Sequence, residues 1–272
     1  MSLKIKLLSF IFLLLSAVSV FAQGKYPTFV FVHGAMFNSS VWMTVQSRLQ
    51  NANANVITID VPGRADDGML PAQVTLDAAA DKLCKVAGLQ EEPVVLVGHS
   101  QGGAVITQAI DKCADNIKAL VYIAAVAPLN GETVFQDLSK EDNNNFDMCV
   151  TLDKSRKLYR VNTSGPIAQM FMADLEPDEA ELAIENMVPE PTGIGDSKLH
   201  YSPAAFKSIP KFYIETRKDK IISLATQKKI ERKIRPNRIY SMDTSHTPFF
   251  SQPYILSNYL LDIGRQNMNN SF

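Results

Sequence analysis

Apolar runs and polar turns alternate along this chain, and the spacing within the runs switches between extended and helical periods. Residues 26–32 form a β-rich apolar run, and after the polar turn Asn38-Ser39-Ser40 the stretch 42–49 reads as a helix. Residues 55–61 are again strand-like, and 76–86 are helical with alanines along one stripe. The continuous apolar run 94–97 follows, with helix-compatible sequence at 104–110 behind it, and then a further buried strand over 120–127, closed by Pro128. After a long break the alternation resumes with a strand at 211–216, a helix at 224–233, a strand at 238–242 and a closing helix at 254–263. Buried strands alternating with helices predict the α/β class, with a mostly parallel sheet covered by helices on both faces.

The break, residues 129 to about 203, holds no strong strand, is rich in Asp, Glu, Asn and Met, and offers short helical pieces at 167–172 and 178–187. So long a segment between strands is expected to be a small helical insertion rather than a loop. Its place in the chain predicts a cap over the active site, and residues 23–272 otherwise read as a single domain with no linker or repeat.

At the chain start, a short basic region (Lys4, Lys6) precedes an apolar core from Leu7 to Val20 and the small-residue step Val20-Phe21-Ala22. That is the pattern of a secretory signal peptide over residues 1–22, cleaved after Ala22, and an uncleaved anchor is the alternative. The expected product is periplasmic or secreted, with no membrane span left after cleavage. Its charge is nearly balanced, 27 basic against 28 acidic side chains, with no basic stripe interleaved with aromatics, which argues against a nucleic-acid partner. Three cysteines, Cys84, Cys113 and Cys149, leave at least one unpaired. Neighbouring helices ending near Cys84 and Cys113 would permit a bridge between those two, while three free thiols remain the other reading. No Cys-x-x-Cys or His-rich cluster suggests a metal.

The chemistry concentrates where the run 94–97 ends in Gly98-His99-Ser100-Gln101-Gly102. A strand must stop and a helix start within a few residues, so Ser100 sits on a strained turn, its hydroxyl held clear of the backbone at the carboxyl edge of the sheet. In sites of this strand–turn–helix type the nucleophile is followed in the chain by Asp or Glu and then by His. Of the four histidines, His33 and His99 precede Ser100 and His200 ends the insertion. Only His246 follows the last expected strand, which makes it the candidate base. Asp219, in the loop after strand 211–216, is the candidate acid. Its rivals are Glu132, Glu215, which as a strand residue would point to a face, and Asp243, which is too close to His246 in sequence to buttress it. The turn His33-Gly34-Ala35 after the first strand would aim the Ala35 amide toward Ser100, and Gln101 at the helix start supplies a second amide. His33 itself is read as a brace for that turn.

With these segments in view the chain resembles the α/β-hydrolases, and within them the branch of plant methylesterases, hydroxynitrile lyases and related bacterial esterases. The resemblance rests on His33-Gly34-Ala35 with Trp42, residues 98–103, 122–128 and 213–227, and Ser245-His246-Thr247-Pro248 running to Gln252-Pro253. It implies an α/β-hydrolase fold, Ser100, Asp219 and His246 as a triad, and the Ala35 and Gln101 amides as an oxyanion hole. The lyases carry a lysine directly after the catalytic histidine and a threonine after the first-turn histidine, where this chain has Thr247 and Gly34. Cyanohydrin cleavage is thereby disfavoured. The implied activity is hydrolysis of a small or medium carboxylic ester without metal or organic cofactor. Thioester, lactone or C–C bond hydrolysis and a small-ligand receptor are the other readings, and the oligomeric state is open. Met36, Phe37, Met170, Phe171, Met172 and Phe249 are candidates for the pocket walls, with ordinary core packing as the alternative for each.

Overall fold

The computed structural model describes residues 26–64 and 68–268, so the expected signal peptide lies outside the described residues. The strands β1 (Phe29–Val32), β2 (Val56–Ile59), β3 (Val94–His99), β4 (Ile117–Ile123), β8 (Lys211–Thr216) and β9 (Arg238–Met242) form one parallel sheet in the order β2-β1-β3-β4-β8-β9. Every residue of β1 and β3 is buried, as a central parallel strand covered on both faces requires. The helices α1 (Met43–Asn51) and α10 (Pro253–Met268) pack together, as do α2 (Leu76–Ala87) and α3 (Gly102–Cys113). Helix α2 starts where the Thr75 hydroxyl accepts the Ala78 amide at 3.1 Å, and it buries the stripe Leu76, Ala79, Ala80, Leu83 and Ala87.

The chain runs from β1 outward to β2 and then returns to the other side of β1 to lay down β3. The order reverses there, so the loops leaving the carboxyl ends of β1 and β3 diverge and leave a crevice between them. The register sets Val32 beside Gly98, which puts the His33-Gly34-Ala35 turn against the turn at Ser100.

Two elements depart from the pattern of apolar positions. The strand expected to reach residue 127 ends at Ile123. Ala124 takes φ +44°, and residues 124–127 stay buried but bond elsewhere: the Ala125 amide to the Tyr213 hydroxyl at 3.1 Å and the Val126 amide to the Ser100 carbonyl at 3.2 Å. An apolar run reports burial, and here burial outlasts the extended conformation. The insertion also carries strands. After α4 (Lys140–Cys149) the chain forms an antiparallel hairpin of β5 (Val150–Asp153) and β6 (Leu158–Val161), joined after the short helices α5 (Ile167–Phe171) and α6 (Pro177–Glu185) by β7 (Glu190–Pro191). These strands are short and half exposed, so they carry little of the apolar signal that marks the main sheet. The two ends of the insertion pair with each other, through a bridge between Thr133 and Lys198 and through Val134 N–H donating to the Ser197 carbonyl at 3.2 Å.

Because α2 and α3 are neighbours, their last turns bring Cys84 and Cys113 to a Cα separation of 5.7 Å, and the two are disulfide-bonded across 29 residues of sequence. Cys149 is free and buried. A loop of that length constrains the unfolded chain by about 3–4 kcal/mol. Replacing Cys84 and Cys113 together by serine should lower the unfolding free energy by about that much in urea titration, while replacing Cys149 alone should leave the bridge intact by peptide mapping.

Candidate active site

Strand β3 ends at His99 and α3 begins at Gly102, and between them Ser100 holds a left-handed φ of +51°. The turn closes this tightly because Gly98 has no side chain: a Cβ there would lie 2.6 Å from the Gly102 carbonyl oxygen. Gly34 makes the same allowance for the neighbouring turn, since its Cβ would come within 2.8 Å of the Ser100 Cβ. The Ser100 N–H donates to the Ile123 carbonyl at 3.2 Å, which ties the elbow to the end of β4.

Three side chains from three loops meet at this edge. His246 Nε2 lies 3.0 Å from Ser100 Oγ, and its Nδ1 lies 2.7 Å from Asp219 Oδ2. A carboxylate can only accept, so Nδ1 carries the proton and Nε2 is the nitrogen left to receive one from Ser100. Asp219 and His246 side chains are fully buried. The charge on Asp219 is met by the Ile221 and Ile222 amides at 2.8 and 2.9 Å and by the Thr216 hydroxyl at 2.9 Å. Gln227 in α8 (Leu224–Ile234) fixes that loop, donating to the carbonyls of Thr216 and Ile222 and accepting the Thr216 amide.

The loop carrying His246 is held from below and above. His99 Nε2–H donates to the His246 carbonyl at 2.9 Å. From the insertion, the Phe171 carbonyl accepts both the Ser245 and Thr247 hydroxyls at 3.1 Å, and Asp174 takes the Ser245 amide at 3.1 Å and its hydroxyl as well. The insertion grips the other turn too. Met36, the residue after Ala35, adopts φ +64°, with its N–H donated to Glu190 Oε2 at 3.0 Å and its carbonyl accepting the Val188 N–H at 2.9 Å. Neither the Ala35 nor the Gln101 amide has an acceptor among the described residues, and Ala35, Gln101 and Ser100 all line one cleft. The positive end of α3 adds to the same spot.

The cleft holds about 710 Å³ of empty space, open solvent at its mouth included. Its walls differ from those expected. Phe171 lines it, but Met36, Phe37, Met172 and Phe249 are packed into the core and Met170 lies outside the lining. Phe135, Leu138, Phe146 and Tyr159 of the insertion, with Ile221 and Ile222 behind Asp219, take their place. Apolar character could not separate wall from core, because Phe135, Leu138, Phe146 and Tyr159 are half-buried residues with weak periodicity, while Phe171, Ile221 and Ile222 are as buried as the core. The rivals for the acid are all occupied elsewhere: Glu132 by Lys233 at 2.6 Å, Glu215 by Lys228, and Asp243 on the surface by Lys218 at 2.9 Å. His200 is exposed. Reasoning from sequence missed the buried pair of Arg64 with Glu190 at the cleft. Nothing in Pro189-Glu190-Pro191 marks it.

The chain matches the model of the alpha/beta hydrolase family over residues 29–255. It is 26% identical over 258 residues to methylesterase 17 of Arabidopsis thaliana, covering 87% of this chain and 91% of that protein. Pheophorbidase of Raphanus sativus is 26% identical over 261 residues, with 88% and 95% covered. Among solved structures, a pyrethroid hydrolase from Sphingobium faniae superposes with a TM-score of 0.76 at 21% identity, over 88% of this chain and 97% of that one.

The two histidines beside the site are held neutral. His33 Nε2 accepts the Val61 amide at 3.0 Å and Nδ1 donates to the Gly34 carbonyl at 2.8 Å, and burial, helped by Arg64, brings its pKa down to about 3. Burial and the neighbouring His246 hold His99 well below the usual imidazole value. In the unfolded chain both would bind a proton below pH of about 6.5, so stability is full above that value and falls as the pH drops toward 3. The limiting slope is about 1.4 kcal/mol per pH unit for each ring. Urea midpoints followed from about pH 7 to about pH 4 should show this loss, and His33→Gln should remove one ring's share of it.

Proposed function

The chain belongs to the alpha/beta hydrolase family, and from that premise we propose that it is an exported serine esterase acting on small or medium carboxylic esters through Ser100, His246 and Asp219. The observation that carries this reading is the unbroken hydrogen-bond chain from Ser100 Oγ through the His246 ring to Asp219, at 3.0 and 2.7 Å. The relatives named as methylesterases and a pheophorbidase, of similar length, support the esterase class. In the proposed reaction His246 Nε2 takes the Ser100 proton as the hydroxyl attacks the ester carbonyl, and Asp219 stabilises the imidazolium that forms. The Ala35 and Gln101 amides receive the oxyanion. His246 then gives its proton to the leaving alcohol, and water repeats the sequence on the acyl-enzyme.

Export is supported by the basic and apolar pattern of residues 1–22 and by the Cys84–Cys113 disulfide, which persists in oxidising compartments. Among the described residues no helix is long and apolar enough to cross a membrane. The residues between the paired ends at 133 and 198 act as the cap, closing the cleft over Ser100 with aromatic walls.

A fluorophosphonate probe should label Ser100 in the purified protein, read by peptide mapping, and short-chain aryl esters should be turned over many times per labelled site. Ser100→Ala should keep its circular dichroism spectrum and lose activity by about a thousandfold or more, and Asp219→Asn should lose a similar factor. Full activity in Ser100→Ala would overturn the mechanism. N-terminal sequencing of the exported protein should begin at Gln23, and a start at Met1 would replace the signal peptide by an anchor.

A further inference from the structure

Two residues of α4 reach across from the insertion to the loop that carries Asp219. Asp142, in the first turn of α4, is fully buried. Its Oδ1 accepts the Ser223 N–H at 3.0 Å, and its Oδ2 accepts the Ser139 N–H at 2.9 Å and the Thr226 hydroxyl. One turn further on, Asn145 Nδ2 donates to the Lys220 carbonyl at 2.8 Å. Burial alone would raise the Asp142 pKa, but the donors of Thr226, Ser139 and Ser223 outweigh it and hold the carboxyl below the ordinary carboxylate value. Asp142 therefore meets the loop as an ionised acceptor.

The backbone between Asp219 and α8 is held from two sides. The Lys220 carbonyl and the Ile221 N–H belong to one peptide unit, so the group that Asn145 grips by its oxygen is the group that donates to Asp219 Oδ1 at 2.8 Å. A donor on the carbonyl end fixes the peptide plane and polarises it, which makes its N–H a stronger and better aimed donor. Asp142 acts at the far end of the same stretch. It holds the N–H of Ser223, next to Ile222, whose own N–H is the second amide on Asp219 Oδ1 at 2.9 Å. Asp219 Oδ2 is then turned to the Thr216 hydroxyl and His246 Nδ1. The direction of the carboxylate depends on where the backbone of 220–223 lies.

The other ties between the insertion and α8 lack this reach. Asp137 pairs with Lys229 at 3.1 Å and with Lys233, both beyond the first turn of α8 and away from 220–223. Helix α4 also lines the cleft, through Asn143, Phe146 and Asp147, whereas Asp142 and Asn145 are not part of that lining. One helix thus adjoins both the ligand space and the Asp219 loop.

We propose that Asp142 and Asn145 are positioning residues for the acid of the triad, aiming the Asp219 carboxylate at His246 through the backbone of residues 220–223. The inference rests on the Ser100, His246 and Asp219 reading above and extends that machinery into the insertion.

A double-mutant cycle between Asn145 and Asp219, read as kcat on a short-chain aryl ester, tests it. Asn145→Ala should lower kcat by about tenfold while KM stays within about twofold, and should lower the residual kcat of Asp219→Asn by less than about twofold. An equal loss in both backgrounds is the mark of a merely structural role and overturns the proposal. Asp142→Asn places an NH2 against one of the donors its carboxylate now accepts, and should repeat the Asn145→Ala pattern. Asn145, only half-buried, carries the test should Asp142→Asn fail to fold. Asp137→Asn loosens the insertion from α8 without touching 220–223 and should keep kcat within about twofold of wild type. A tenfold loss there would trace the effect to seating of the insertion and overturn the assignment.

A second readout needs no turnover. The His246 Nδ1 proton shared with Asp219 should give a low-field proton resonance that is lost in His246→Ala, moves in Asn145→Ala and stays in place in Asp137→Asn. Aryl-ester turnover with a resonance unmoved in Asn145→Ala overturns this inference alone. Absence of turnover in the wild-type protein overturns the esterase reading, and the resonance then still decides whether α4 aims Asp219.

Discussion

The rest of the site depends on one steric constraint, the near-contact of the β1 turn with the β3 turn at the place where strand order reverses. Ser100 can hold φ +51° only because Gly34 and Gly98 leave room on either side of it. A left-handed backbone at a non-glycine residue costs on the order of 1–2 kcal/mol. The strain is fixed by bonds that would be lost on relaxation: Ser100 N–H to Ile123, and Val126 N–H back to the Ser100 carbonyl. Those bonds explain why the chain beyond β4 turns inward rather than continuing as strand. The end of β4 is shaped by what the elbow needs from it.

Much of this was legible in the sequence. The strands Lys211–Thr216 and Arg238–Met242 end where their apolar patterns end, so the loops holding Asp219 and His246 could be placed at the carboxyl edge by counting strands. The Gly-x-Ser-x-Gly run sits on a turn whose glycines have steric partners within van der Waals distance. What stayed hidden is of two physical kinds. The β5–β6 hairpin and the insertion's share of the cleft walls, Phe135, Leu138, Phe146 and Tyr159, are built from half-exposed residues, where periodicity is faint. The Arg64–Glu190 pair joins positions 126 residues apart. A long-range contact between two charged residues has no local signature.

The insertion is bonded both to the loop of His246 and to the turn after Ala35. Phe171 and Asp174 bracket His246 through Ser245 and Thr247, while Val188 and Glu190 bracket Met36 beside the Ala35 amide. Buried side-chain bonds of this sort contribute on the order of 1 kcal/mol each, more where a carboxylate accepts. The His246 loop and the Ala35 turn therefore share a support that neither β1 nor β9 provides. Order in the cleft walls and order at Ser100, His246 and Ala35 are coupled through the same few residues, with His99 bracing the His246 carbonyl from the sheet side.

The paired ends of the insertion, Thr133 with Lys198, give it a narrow neck. Chain length and composition beyond that neck can drift over generations where no bond ties them to the framework. Freedom to drift stops where the framework grips the insertion: at 171–174 and 188–190, and at Asp137, Asp142 and Asn145, which bond Lys229, Ser223 and Lys220. A lineage built on this plan can trade one appetite for another by rewriting the stretches between those anchor points while leaving the anchors untouched.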